Sequence, residues 1–259
     1  MPADRLISLA SKFPPVSLPE MDGVKLLDRT DTKYLTDEAT LPSILEDAAA
    51  AGYRALNVGG ACINRYESIY YDTAGLKMFL DHRNSRLVRQ KVRAREYVES
   101  GQAFLEIKRK NNKGRTKKKR MEIPSSELMD FRSDAAACSF LAEKSAFSPE
   151  ELSPVLSTRF GRITLVNPSM TERTTIDTGV EFRNFRTGRD ASLKNAVVIE
   201  VKQDGRYASG MRGILLEHRV KPFRVSKYCM AVTLTDPSAR AGRFNEKQHL
   251  IEKLIGNKL

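Results

Sequence analysis

One segment of the chain carries a basic side chain at every second residue. Arg89, Lys91, Arg93 and Arg95 alternate there with residues that are mostly small or apolar. Because successive side chains of a strand point to opposite faces, all four cations would leave one face of a strand. The other face could then pack against a core. Arginine and lysine in such a row are suited to binding phosphate groups.

Four further segments place charged or polar residues on one strand face in the same way. These faces carry Arg29, Asp31 and Lys33; Glu106 and Lys108; Arg173, Thr175 and Asp177; and Glu200 and Lys202. The outer face of a soluble sheet is normally mixed in character rather than selectively charged. If the five faces converged, the repulsion between their cations would be tolerable where a polyanion occupies the cavity. The pattern predicts a cationic cavity.

The elements that would position these residues are many short strands with helices between them. Strands are predicted near 24–36, 65–72, 86–98, 103–110, 117–123, 159–167, 172–183, 196–203 and 222–234. Helices are predicted from Thr40 to Gly52 and at 75–82, 125–145, 207–219 and 240–256. Segment 110–117, rich in Asn, Gly and Lys, is typical of a hairpin turn. The pattern predicts an α+β fold in which an antiparallel sheet or barrel has helices packed outside.

Composition limits the class of protein. The 259 residues include 44 Lys and Arg against 32 Asp and Glu, which gives a formal charge of +12. That excess favours a polyanionic partner. Segment 1–19 lacks a continuous apolar region and no stretch of about 20 apolar residues occurs, so we expect neither a secretory leader nor a transmembrane segment. Three distant cysteines predict no disulfide framework or cysteine zinc site, and therefore a cytoplasmic protein.

Several catalytic motifs do not occur in the sequence. It contains no GxxxxGK[ST] loop, no GxGxxG after a strand, no HExxH and no GxSxG. The histidines, His82, His218 and His249, are scattered and fit no metal-ligand spacing. Any phosphate chemistry would therefore depend on charged side chains and a metal ion.

An ordered set of short motifs resembles the VTC domain, the polyphosphate polymerase domain of the triphosphate tunnel metalloenzymes. The motifs are Arg29-x-Asp31-x-Lys33-Tyr34, Ser68-x-Tyr70-Tyr71-Asp72, Lys91-Val92-Arg93-x-Arg95-x-Tyr97, Glu106-x-Lys108, Arg162, Arg173-x-x-x-Asp177, Glu200-x-Lys202 and Ser226-Lys227-Tyr228. The resemblance implies a tunnel of antiparallel strands, lined with basic and acidic side chains. No composition break marks a linker, so one domain is predicted over 1–259, with a core at about 24–234 and a C-terminal helix at about 240–256. Without an SPX domain or a membrane span, the chain is similar to a free-standing, bacterial relative.

The resemblance also implies roles for individual residues. As catalytic cations it implies Lys33, Arg93, Arg95 and Lys227, and as further phosphate ligands Lys108, Lys119, Arg162, Arg173 and Arg224. Lys117 or Lys118 could take the place of Lys119. Glu200 falls where the family holds a divalent metal, Mn²⁺ or Mg²⁺. The implied reaction transfers the γ-phosphoryl group of ATP onto a polyphosphate chain.

Three alternatives stay open at this level. A CYTH-type triphosphatase has the same fold, but its Glu-x-Glu-x-Lys motif corresponds here to Arg29, Asp31 and Lys33, which favours the polymerase. Glu200 could form a salt bridge with Lys202 instead of binding metal, and Glu106 and Asp177 could be second metal ligands or partners of the cations. A nucleic-acid binder would explain the charge, but the chain has no Trp and no repeated stacking pattern. We therefore expect no nucleic-acid partner.

Overall fold

The computed structural model describes residues 3–22, 24 and 29–259. The described strands are β1 Pro15–Val16, β2 Arg29–Asp37, β3 Arg54–Leu56, β4 Asn64–Asp72, β5 Arg89–Tyr97, β6 Gln102–Lys110, β7 Thr116–Ile123, β8 Ser153–Val166, β9 Glu172–Asn184, β10 Asp190–Ser192 and β11 Ala196–Asp204. The described helices are α1 Ala3–Ala10, α2 Leu18–Asp22, α3 Leu41–Ala50, α4 Lys77–Arg83, α5 Ala135–Lys144, α6 Gly210–Glu217, α7 Lys227–Thr235 and α8 Asn245–Ile255. Short 3₁₀ helices cover Ser125–Glu127, Phe131–Ser133, Pro149–Glu151 and Gly242–Phe244. None of the helices in these ranges is long and apolar enough to cross a membrane.

Eight strands form one antiparallel sheet in the order β2-β11-β9-β8-β4-β5-β6-β7. At the side of this sheet, β10 pairs with β9 and β3 pairs with β8, both antiparallel, while β1 pairs with β3 in parallel. The predicted antiparallel α+β architecture is confirmed. Over the described residues, the end strands β2 and β7 do not pair with each other. The described sheet therefore has no continuous hydrogen-bonded closure.

The sheet is curled, as an electrostatic interaction between distant strands shows. Lys108 on β6 and Lys202 on β11 are five strands apart, which in a flat sheet would separate them by about 24 Å. Arg93 most strongly, and Lys202 among other groups, lower the pKa of Lys108. Lys202 therefore lies across the cavity from Lys108, and the two halves of the sheet face each other.

The convex face of the curled sheet is apolar and is covered by helices. Ile163, Ile176 and Ile199 lie on it beneath α1, α3 and α6. On the other half of the sheet, Val92 and Leu105 pack beneath α5. Burial of this face leaves the alternate side chains of the same strands on the concave face, which carries the charges.

Helix α7 packs on the concave face at one end of the sheet. Its residues Tyr228 to Val232 are buried against Tyr70, Phe160 and Val198. The sequence predicts a strand over 222–234, and that prediction is wrong. A short apolar run does not distinguish a strand from a buried helix by its periodicity. Here Ser226 caps the helix by accepting a hydrogen bond from the Cys229 amide, and apolar neighbours surround the helix.

Other predicted boundaries need smaller corrections. The predicted helix over 125–145 is two 3₁₀ turns followed by α5, and β8 begins six residues before its predicted start. The sequence analysis missed β1, β3, β10, α1 and α2, which are short or terminal. The first predicted strand begins at 29 in the structure, and positions 25–28 of that prediction lie outside the described residues. The remaining strands and helices occur where they are predicted.

Asp72 connects the end of β4 to two helices. It is fully buried and accepts hydrogen bonds from the amides of Met78 and Phe79, at 2.9 Å each, in the first turn of α4. It also accepts one from the hydroxyl of Tyr228 in α7. A carboxylate at a helix N-terminus satisfies amides that have no partner within the helix. Asp72 thereby fixes the start of α7 relative to β4.

Tyr228→Phe removes this hydroxyl donor and should lower the free energy of unfolding by about 1–3 kcal/mol, because a buried acceptor loses a partner. Denaturant unfolding followed by circular dichroism measures the change. Tyr207→Phe is the matched control, since Tyr207 is half exposed and should show no loss. Equal stability of the two variants would contradict the role given to Asp72.

Candidate functional site

Glu106 on β6 is the first of three carboxylates on the concave face. Its side chain is 0 % exposed, and it pairs with Arg93 of β5 and Lys118 of β7. Both Nε and Nη2 of Arg93 donate to Glu106 Oε2, at 2.8 and 2.5 Å. The register places these groups together, because Glu106 lies directly opposite Arg93 on the neighbouring strand. Glu106 therefore neutralises cations from both flanking strands.

Asp177 on β9 is the second carboxylate. It accepts two hydrogen bonds from the guanidinium of Arg162 on β8, at 2.5 and 2.8 Å, in a bidentate pair. Lys227, the first residue of α7, pairs with the same carboxylate. The predicted catalytic lysine thus comes from a helix N-terminus that the concave face holds in place.

Glu200 on β11 is the third carboxylate, and it is the most accessible. It pairs with Lys33, directly opposite on β2, and its Oε2 lies 3.2 Å from Lys202 Nζ. Its side chain is 19 % exposed, against 4 % for Asp177 and 0 % for Glu106. A ligand entering the cavity could therefore reach Glu200 most easily.

The cations keep all three carboxylates ionised. Burial alone would raise the pKa of each carboxyl group, because it disfavours the charged form. Burial is the largest single effect at each, but the neighbouring cations together outweigh it. These are Arg93, Arg95 and Lys118 at Glu106, Arg162 and Lys227 at Asp177, and Lys202, Lys33 and Arg162 at Glu200. Each pKa is consequently lowered below its ordinary value.

Other cations on this face have no carboxylate partner among the described ion pairs. Arg95 is buried and donates from Nε to Ser68 Oγ at 2.8 Å. Its guanidinium lies 5.2 Å from the ring centroid of Tyr66 and 5.7 Å from that of Phe160. Burial and the neighbouring Arg93 lower the pKa of Arg95, so keeping its guanidinium charged costs free energy. A bound anion would relieve that cost.

Lys108 and Arg173 are two more cations of this kind. Arg93 and burial lower the pKa of Lys108, while burial and Arg29 lower the pKa of Arg173. Both effects favour an anion between the walls of the cavity. The site can therefore neutralise several phosphate groups while its own carboxylates hold the cations in position.

The structure brings together most of the residues predicted for the site. On the concave face or at its edge lie Lys33, Arg93, Arg95, Lys108, Arg162, Arg173, Lys227 and Glu200. Lys119 does not join them, because it lies opposite Ile107 of the buried convex face. Lys118, opposite Lys108, occupies the concave position instead. In a run of three lysines, only the register shows which one faces the cavity.

Arg224 takes no part in these contacts either. It is exposed in the loop before α7, and its guanidinium makes no hydrogen bond or ion pair with the described residues. Sequence reasoning missed the aromatic platform of Tyr66 and Phe160 beneath Arg95. It named Tyr70 within a motif but gave no role to its hydroxyl, which accepts from Arg93 at 3.2 Å. Although burial opposes it, Arg93, Arg95 and Lys91 lower the pKa of Tyr70 to about 8.

The carboxylates of the site determine whether a metal ion can bind there. Within the described ranges, no group of three or more His, Cys, Asp or Glu could hold a metal ion by itself. Mg²⁺ and similar ions often use one or two carboxylates together with water and substrate phosphates. Glu200, as the accessible carboxylate, fits that arrangement. A divalent ion would be held by Glu200 and by phosphate oxygens of a bound substrate.

Comparison with known families decides the assignment. The family model of the VTC domain matches residues 28–235. The chain belongs to the VTC domain family. The resemblance carried by the short motifs is therefore confirmed, and the match covers β2 to α7, which contain every residue assigned to the site. No curated protein sequence matches this VTC domain significantly.

Solved structures confirm the fold. The VTC domain is similar to an adenylate cyclase candidate from Bacillus halodurans, with a TM-score of 0.52 at 10% identity, over 76% of this chain and 92% of that one. It is also similar to an adenylyl cyclase candidate from Hippeastrum described as having a dominant triphosphatase activity, with a TM-score of 0.52 at 15% identity, over 79% and 95%. At these identities the likeness concerns the fold alone. Membership of the VTC family identifies the chain as an enzyme of the triphosphate tunnel superfamily.

The depressed carboxyl pKa values predict a specific acid sensitivity. Their contribution to stability is complete above the ordinary pKa of about 4 and is lost as the pH falls toward the lower folded-state values. Asp177→Asn should therefore reduce the slope of unfolding free energy against pH below pH 4 by about one proton. Urea unfolding between pH 6 and pH 2 measures this slope.

Asp190→Asn is the control for that measurement, because Asp190 is an exposed partner of Arg183 at the surface. Its slope should equal that of the wild type. If Asp177→Asn also kept the wild-type slope, the carboxyl of Asp177 would not be held ionised by Arg162 and Lys227.

Proposed function

We propose that this VTC domain transfers the γ-phosphoryl group of ATP onto an inorganic polyphosphate chain and releases ADP. The observation that carries the proposal is the surplus of cations on the concave face. Arg95, Lys108 and Arg173 have no carboxylate partner among the described ion pairs, although all three lie on the concave face. A short anion would contact only some of these cations, whereas two phosphate chains that meet end to end would contact all of them.

Phosphoryl transfer needs positioning and charge neutralisation more than covalent participation by the protein. Arg93, Arg95 and Arg162 present planar guanidinium groups that suit bidentate contacts with phosphate oxygens. In the proposed reaction a terminal oxygen of the polyphosphate chain attacks the γ-phosphorus, and the bond to the bridging oxygen of ADP breaks. Charge that develops on the leaving oxygen is neutralised by the surrounding cations.

Lys33 and Lys227 have a second role in this proposal. Each is paired with a carboxylate, Glu200 and Asp177 respectively, and each has a flexible stem. A lysine ammonium can turn from its carboxylate toward a phosphate oxygen without leaving the cavity. The carboxylates therefore keep the two lysines in place in the free protein, and the lysines turn to the phosphates when the substrate binds.

Glu200 is the residue that would hold a divalent ion, Mg²⁺ or Mn²⁺, together with substrate oxygens. When bound, such an ion supplies charge neutralisation on the phosphates. Lys33 and Lys202 would then be released from Glu200 and become available to the substrate.

A second candidate function is hydrolysis of triphosphate compounds, as in a CYTH-type triphosphatase. It is favoured by the structural likeness to the Hippeastrum protein with dominant triphosphatase activity. Against it, Arg29 stands where that type has its first carboxylate, and Arg29 pairs with Asp31 at 3.1 Å. The site therefore has one carboxylate fewer than the motif of a CYTH-type triphosphatase, so we favour the polymerase.

ATP and polyphosphate are the proposed partners. The cytoplasm is the proposed compartment, since the three cysteines are free thiols.

One experiment separates the two candidates directly. Purified protein is incubated with ATP and Mn²⁺, and the products are resolved on a gel stained for polyphosphate. The proposal predicts a ladder of polyphosphate together with ADP. Release of orthophosphate without a ladder would favour the triphosphatase.

Arg95→Lys should lower the rate of ADP release roughly a hundredfold, because a bidentate cation is replaced by a point charge. Folding should be retained, since Arg95 has no carboxylate that would be left unpaired. Lys113→Gln, in the exposed β6–β7 turn, is the control and should keep near-wild-type turnover. Near-normal turnover in Arg95→Lys would remove Arg95 from the phosphate site.

Glu200→Gln tests the metal role. We expect loss of most turnover and a higher Mn²⁺ requirement, with nucleotide binding largely kept. Glu67→Gln controls for loss of an ion-paired carboxylate, since Glu67 pairs with Arg159 away from the cavity. Titration of Mn²⁺ against both variants and the wild type is the measurement. An unchanged Mn²⁺ dependence in Glu200→Gln would show that Glu200 serves only as a salt-bridge partner.

A further inference from the structure

The concave face carries a ladder of like charges that continues beyond the carboxylate-centred ion pairs. On β5 and β6, Arg89 lies directly opposite Lys110, and Lys91 lies directly opposite Lys108. Lys108 in turn lies opposite Lys118 of β7. The ladder runs from the pair of Arg93 with Glu106 to the end of the sheet where β5 begins and β6 ends.

Such a ladder is costly in the free protein. Side chains directly opposite each other on antiparallel strands have Cβ atoms about 4.5–5.5 Å apart, and like charges in that position are destabilising. Of the ladder residues, only Lys118 pairs with a carboxylate in the described ion pairs. Arg89 and Lys91 instead donate to neutral oxygens, the Arg86 carbonyl at 2.6 Å and Ser226 Oγ at 2.8 Å.

A further cation joins the ladder from the C-terminal helix. Lys247 of α8 donates from Nζ to the carbonyl of Arg224 at 2.9 Å, in the loop that leads into α7. Burial first, and then the nearby cations Lys91, Arg89, Lys247 and Lys110, lower the pKa of His82 to about 3. Three separate elements, β5, β6 and α8, therefore bring their cations to one place. We call Arg89, Lys110 and Lys247 the cationic rim.

The opposite end of the concave face differs in its charge. There Asp31 pairs with Arg29 and lies directly opposite Lys202. The cations at that end therefore have a carboxylate next to them. By contrast, none of the described ion pairs includes a residue of the rim. The two ends are not equivalent for a long polyanion.

We propose that the cationic rim binds the distal phosphates of a long inorganic polyphosphate chain whose reacting end lies among Arg93, Arg95 and Arg162. The chain thus leaves the cavity beside the N-terminus of α7, at the end where β5 begins. Contacts at the rim add to those in the cavity, so a long chain binds more tightly than tripolyphosphate. The choice of ligand rests on the proposed function.

The test compares two polyanion lengths by calorimetry without nucleotide. Affinities for tripolyphosphate and for a polyphosphate of tens of units are measured for the wild type and for Arg89→Gln/Lys110→Gln/Lys247→Gln. We expect the long-chain affinity to fall at least tenfold and its salt slope to decrease by about three, about one for each lost phosphate contact. Tripolyphosphate affinity should stay within about twofold.

The matched control is Lys113→Gln/Arg115→Gln/Lys117→Gln, which removes the same charge from exposed positions in the β6–β7 hairpin. It should keep the long-chain affinity. An equal loss in the control, an equal loss for tripolyphosphate, or no loss in the rim variant would each overturn the proposal. So would a single-stranded RNA that binds as tightly as polyphosphate and loses as much affinity in the rim variant.

His82 provides a second readout on the wild-type protein. The rim cations act electrostatically on its imidazole, so long polyphosphate should shift its NMR resonances, while tripolyphosphate should shift them much less. Equal shifts with both ligands would contradict the rim as a distal site. Because neither measurement involves ATP turnover, a protein that makes no polyphosphate but retains length-dependent binding would refute the proposed function and leave the rim supported.

Discussion

The pairing of buried carboxylates with cations is the constraint on which the rest of this structure depends. Glu106, Asp177 and Glu200 each hold two basic side chains from different elements on the concave face. Without them the cations would repel one another in a space with little water to screen the repulsion. With them, the cavity keeps a fixed arrangement and still has unpaired cations left for an anionic ligand. The same three groups thus serve folding and binding.

Strand register is what makes this pairing possible. Each carboxylate lies directly opposite one of its cations, as Glu106 does with Arg93, Asp177 with Arg162 and Glu200 with Lys33. A shift of one residue would send a strand's charged side chains to the apolar convex face. The apolar residues under α1, α3, α5 and α6 therefore determine the register, and the register determines the site.

The two-residue period of charge predicted most of the sheet and most of the site, because the alternation is physically required where one face is buried. It could not resolve Lys119 from Lys118, since three consecutive lysines carry no alternation. It also misassigned 222–234, because α7 is apolar on nearly all sides and lies between the sheet and other helices. The curl of the sheet and the rim depend on contacts between distant segments, which a local pattern does not contain.

The end strand β7 has a consequence for how copies of this protein behave toward one another. Its outer edge is unpaired among the described strands, and an exposed edge offers free backbone groups to a neighbouring chain. Four consecutive cations, from Lys117 to Arg120, cover this edge. Two copies meeting there would bring like charges together before any backbone hydrogen bond could form. The run therefore also protects the protein from aggregation, and that protection would weaken wherever a polyanion neutralised the strand.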